Sequence, residues 1–167
     1  MKKQQSGFTL VELIMVIVVL GILSAFALPR FANFGGDARV ATLNSALGAM
    51  RSASAIAHSA QLAAAGALTD DVVLEGFTIK MVNGYPQASL DTAGATSGGI
   101  MVAAQLSAEF EGTGGGTDAA NVLTIQLEGA PTPANCSFTY TVPAATGTAP
   151  DLVYPAPVFS DPVITGC

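Results

Sequence analysis

The strongest pattern lies near the start of the chain. From Phe8 to Leu28 (FTLVELIMVIVVLGILSAFAL) the only charged side chain is Glu12, and 14 of the 21 residues are Leu, Ile, Val or Phe. As a helix this stretch reaches about 31 Å, the hydrocarbon thickness of a bilayer. Its apolar side chains favour insertion by on the order of 6 kcal/mol, against about 3 kcal/mol for one carboxylate at the bilayer centre, so it is predicted to span. Lys2 and Lys3 precede it and place that end in the cytoplasm, with the rest of the chain outside.

Pro29 and then Gly35-Gly36 are predicted soft points after the span. Beyond them Val40, Leu43, Leu47, Met50, Ser54, Ala57 and Gln61 recur at alternating spacings of three and four, one face of an amphipathic helix. Abundant alanine, no proline and a stop at Gly66 carry that helix to about residue 65. A continuous rod over residues 8–65 measures about 87 Å, against a radius of gyration near 13 Å for a compact domain of that remaining size. The inner half is therefore expected to protrude and to need lipid or other copies of itself.

Residues 66–167 change character. Val72 to Glu75 and Phe77 to Asn83 read as strands, closed by the turn Asn83-Gly84-Tyr85-Pro86, and Gly98 to Leu106 as a short helix. Period-two alternation at Leu123, Ile125 and Leu127, and at Cys136, Phe138, Tyr140 and Val142, predicts two half-buried antiparallel strands. Pro150, Pro155, Pro157 and Pro162 confine the last stretch to loop or sheet edge. The expected fold class is α+β, a long N-terminal helix packed on a small antiparallel sheet.

Composition narrows the function. With 6 Lys+Arg against 12 Asp+Glu the net charge is -6, which argues against nucleic acid as a partner. Half the residues are hydrophobic and only 11% charged, so part of the chain is not built for water. There is no Trp and little other aromatic material for a deep ligand pocket.

Two readings of the N-terminus compete. One is an ordinary secretory signal cut at Ala25-Phe26-Ala27, releasing a secreted binding domain. Against it stand an acid inside the apolar run and a Gly-Phe junction before it; an ionisable residue at membrane depth points to a function. Gly7-Phe8-Thr9-Leu10-Val11-Glu12 resembles the N-terminus of a type IV prepilin, with a short leader of the type IVa group, and the resemblance covers residues 1 to about 60. VNGYPQ (82–87), the Asn-Cys before an alternating strand and the terminal Gly-Cys resemble pilins of mannose-sensitive haemagglutinin pili.

The resemblance implies a leader at 1–7, a membrane and filament-core helix at 8–29, an amphipathic helix at 30–65 and a β-rich head at 66–167. It implies a peptidase that cuts Gly7-Phe8 and methylates the Phe8 amine, a precursor in the inner membrane of a Gram-negative bacterium, and assembly machinery. The product is an extracellular filament of identical subunits that adheres to a surface receptor. A type II secretion pseudopilin is the alternative within the same architecture. Glu12 lies one helical turn from the new amine, so in a staggered bundle the amine of one copy reaches Glu12 of another, making Phe8 and Glu12 the candidate assembly residues.

Cys136 and Cys167 fall in the region placed outside the cytoplasm, where a disulfide persists, and they are expected to pair. In the family such a loop is exposed and takes part in surface contacts; a purely stapling role is the alternative. Other candidate chemistry is weak. His58 lacks neighbours at ligand spacing and reads as a packing or surface residue. Gly112 to Gly116 reads as a flexible hairpin loop and Asp70-Asp71 as a solvated turn. Asn135-Cys136-Ser137 is a poor glycosylation acceptor, and Asp91-Thr92-Ala93-Gly94 resembles a protease turn only superficially. No catalytic set, cofactor or metal site is expected.

Overall fold

The computed structural model describes residues 8–31, 34–91 and 94–167. The chain divides into two compact units, residues 1–38 and 39–167.

In the first unit, α1 (Leu10–Phe31) carries Glu12 in its first turn and is apolar from Leu13 to Leu28 apart from Ser24. The window Leu10–Ala27 has a mean hydropathy of 2.7 and none of it is buried within the chain. Val and Ile are modest helix formers in water, but in lipid each backbone amide and carbonyl must be satisfied within the segment, and a helix does this. The Ser24 hydroxyl is satisfied inside the helix, donating to the Leu20 carbonyl at 2.7 Å.

α2 (Phe34–Ala64) supplies most of its length to the second unit. Gly35-Gly36, expected as a soft point, are helical within α2. The buried face holds Leu43, Leu47, Met50, Ser54, Ala57 and Gln61, the expected stripe, widened by Ala46 and Ala53. α2 ends where Ala65 turns left-handed (φ 51°), one residue before the glycine expected to stop it. At Gly66 a Cβ would lie 2.6 Å from Asp70 Oδ2, so a larger residue there would have to displace that carboxylate from the Ala67 amide. The buried Gln61 amide donates to the Ala67 carbonyl and ties down the exit.

β1 (Val72–Leu74) and β2 (Phe77–Ile79) form an antiparallel hairpin, and β2 also pairs in parallel with β5 (Ser97–Gly98). β3 (Met81–Val82) and β4 (Tyr85–Pro86) form a second hairpin around Asn83 and Gly84, both at positive φ. The strand expected from Phe77 to Asn83 is thus split at Lys80, whose amide bonds Gly98 while its carbonyl accepts from Gln87. The chain changes partners there, which alternation alone does not reveal. α3 is shorter than expected, Ile100–Ala103.

The main sheet is antiparallel in the order β6 (Phe110–Gly114), β7 (Val122–Leu127), β8 (Ser137–Thr141), β9 (Val158–Phe159). β7 and β8 are the two alternating strands, paired so that Leu123 faces Tyr140 and Ile125 faces Phe138. β9, inside the proline-rich tail, is an edge strand. β6 corrects the sequence reading, because Gly112 to Gly114 lie in a strand and not in a loop. A Cβ at Gly112 would meet Met101 Sδ at 2.9 Å, so glycine lets the edge strand close on the core. Leu43, Leu47 and Met50 pack on Leu123, Ile125, Phe138 and Tyr140, while Ala57, Val72, Ile79, Met81 and Val102 form a smaller second cluster.

Candidate functional site

Gly7 lies outside the described residues. Phe8 is 91% exposed at the start of α1. Thr9 is the N-cap: its carbonyl accepts from Leu13, and its hydroxyl accepts from the Glu12 amide at 3.2 Å. Glu12 reaches back, its Oε2 accepting from the Thr9 amide at 3.0 Å and the Thr9 hydroxyl at 2.8 Å. This is a capping box, in which two amide donors left over by the helix are satisfied reciprocally. The Thr-x-x-Glu spacing signals it in the sequence and makes Thr9 a positioning residue for Glu12, a role that the charge of Glu12 alone does not reveal. Both bonds go to Oε2, and among the described residues nothing bonds Oε1. From Leu10 to Leu23 the large apolar side chains are exposed, so the helix has a prepared first turn and an uncovered surface.

At the far end of the chain Cys136 and Cys167 are disulfide-bonded, with Cα atoms 4.8 Å apart. Cys136 is fully buried in the core beside Phe138. Backbone bonds between Ser137 and Val163, Thr132 and Gly166, and Gly166 and Asn135 run alongside the bridge. Arg39 donates to the Cys167 carbonyl at 2.8 Å, fastening the closed loop to α2. Leu152, Val153, Val158, Val163 and Ile164 remain exposed on it.

The other candidates have structural partners. His58 stacks on Tyr85 (4.1 Å between centroids, 9° between planes), and its Nδ1 lies 2.7 Å from the Gly84 carbonyl, so it anchors the β3–β4 turn to α2. Asp70 caps the Ala67 amide, and Asp71 pairs with Lys80. Asp91 accepts from the Ser89 hydroxyl and the Gly99 amide, and burial raises its carboxyl above the usual aspartate range. Residues 92–93 of the protease-like turn lie outside the described residues. The Tyr140 hydroxyl, buried, donates to the Pro86 carbonyl at 2.7 Å, and burial pushes its ionisation upward. Among the described residues no three His, Cys, Asp or Glu side chains cluster to hold a metal.

Residues 2–28 match the family model described as the prokaryotic N-terminal methylation motif. A type IV major fimbrial protein of Dichelobacter nodosus is 43% identical over 53 residues, covering 32% of this chain and 34% of that protein. The type IV narrow pilus major component of Thermus thermophilus is 51% identical over 51 residues, covering 30% and 44%. A fimbrial protein of Pseudomonas aeruginosa is 33% identical over 78 residues, covering 46% and 51%. The chain thus spans about a third to a half of the length of these curated relatives. No solved structure matches it. Over its N-terminal part, where the methylation motif opens an uncovered apolar helix of spanning length, the chain is thus similar to type IV fimbrial and pilus proteins.

Proposed function

We propose that this chain is the structural subunit of a type IV pilus, made as a single-pass inner-membrane precursor and polymerised through α1 into an extracellular filament that attaches to surfaces or cells. The observation that carries the reading is α1 itself: its apolar stretch Leu10–Ala27 has no cover of its own and holds one acid, at its capped start. In the membrane lipid covers it. In a filament other copies of α1 do. The prepilin peptidase removes residues 1–7 and methylates Phe8. The new amine of one copy then meets the Glu12 Oε1 of another, which Thr9 has oriented, and displacement from that register strands two charges in an apolar core.

Residues 66–167 are the head in this scheme, with the disulfide loop 136–167 on its surface. N-terminal sequencing and mass measurement of purified filament protein test the reading. Methylated Phe8 is expected; a chain beginning at Leu28 belongs to a secreted binding domain and overturns it.

A further inference from the structure

Along one flank of α2 runs a groove whose floor is Ala41, Ser45, Ala49, Ser52 and Ile56, spaced three or four residues apart. Leu106, Glu109 and Phe110 wall one part of it. Leu74, Glu75 and Phe77 wall the other, and the two parts share Ala49, Ala104 and Gln105. Over this span the groove follows α2 for about 22 Å. The floor has no charge, while the exposed Glu75 and Glu109 stand on the walls.

The other flank of α2 has the opposite character. Arg51, two residues from Ala49, points about 200° around the helix and lies 5.7 Å from the Phe159 ring centroid of β9. Val158 beside it is 57% exposed. β9 and the groove-walling β6 are the two edges of the main sheet. After Gly7 the chain has four basic residues: Arg30, Arg39, Arg51 and Lys80. Lys80 pairs with Asp71 and Arg39 holds Cys167, whereas Arg51 has no carboxylate partner among the described residues. Asp161 is also exposed beyond β9, and the cation this flank offers a partner is Arg51 on α2.

A concave acid-walled flank and an apolar flank led by a cation match each other, not themselves. Contacts between two different surfaces of one molecule propagate head to tail and build rings or open helices. The geometry points to a second copy of this chain as the groove's occupant, its Arg51–Val158–Phe159 flank seated on α2 and its Arg51 directed at Glu109. This rests on the filament reading and adds the head contact that sets neighbouring heads side by side.

The test uses the full chain in filament-producing cells. Arg51→Glu and Glu109→Arg are each expected to lower filament yield at least about tenfold by facing like charges, and the double exchange to restore it. Unchanged yields from the single variants, or a double variant no better than the worse single one, overturn the docking. Independently, Ser45→Cys with Val158→Cys, treated on sheared filaments with a short thiol cross-linker, is expected to give a ladder of multimers that neither single variant gives. Filaments without that ladder overturn it as well. Absence of filaments from the unaltered chain instead removes the filament reading beneath it.

Discussion

Replacing both cysteines, Cys136→Ala with Cys167→Ala, isolates what the bridge does for the head. The bond closes residues separated by 31 positions, so without it the unfolded chain regains loop freedom worth about 3.7 kcal/mol. Cys136 is fully buried among core side chains, and losing its sulfur leaves a small void costing about 1 kcal/mol more. The backbone bonds of Ser137–Val163 and Gly166–Thr132 belong to the native fold with or without the bridge, so the deficit falls mainly on the unfolded side. Urea unfolding of the full chain in detergent micelles, followed by tyrosine fluorescence, is the assay. The expected loss is about 4–5 kcal/mol, equivalent to a fall of about 12–18 °C in Tm for a unit of this size. The variant should also show a steeper urea dependence, because its unfolded chain is no longer cross-linked and exposes more surface. A loss below about 1 kcal/mol with an unchanged slope refutes the reasoning and means that the loop is held by its backbone bonds alone.

Glu12→Val makes α1 more apolar and removes its capping box, so membrane insertion and cleavage at Gly7 are expected to persist while filament yield collapses; abundant filaments under the electron microscope alongside confirmed cleavage contradict this. Gly7 replaced by a bulky residue is expected to leave full-length precursor in the membrane, read by immunoblot against the processed size. Tyr140→Phe removes the donor to the buried Pro86 carbonyl and should cost the head about 1–3 kcal/mol in urea unfolding, with the aromatic packing against Phe159 retained. The Asp91 carboxyl, raised chiefly by burial, should titrate by NMR above the ordinary aspartate value; its folded form holds the proton longer than the unfolded one, so its contribution to stability falls as pH rises from the unfolded to the folded value. An Asp91 titration at or below the ordinary value counts against that assignment.

What could be read directly from the residues were the features encoded by local repetition. The span from Phe8 to Leu28 is legible because a bilayer imposes length and apolarity on contiguous residues, whatever the rest of the chain does. The α2 stripe and the alternation in β7 and β8 are legible because a face buried against one surface writes its period into the sequence. The Thr9–Glu12 cap is equally local, a spacing of three residues.

Tertiary structure alone decided the elements whose partners are distant. β6 is a strand because β7 pairs with it and because Met101 needs the room that Gly112 leaves, although a run of glycines by itself signals a loop. The break at Lys80 follows from an exchange of strand partners between β5 and β4, and β9 exists because β8 has a free edge. Arg39 on Cys167, Arg51 over Phe159 and His58 on Tyr85 join residues separated by 27 to 128 positions. Short-range periodicity carries no record of such pairings, since each is fixed only when the helix closes over the sheet and brings the two groups together.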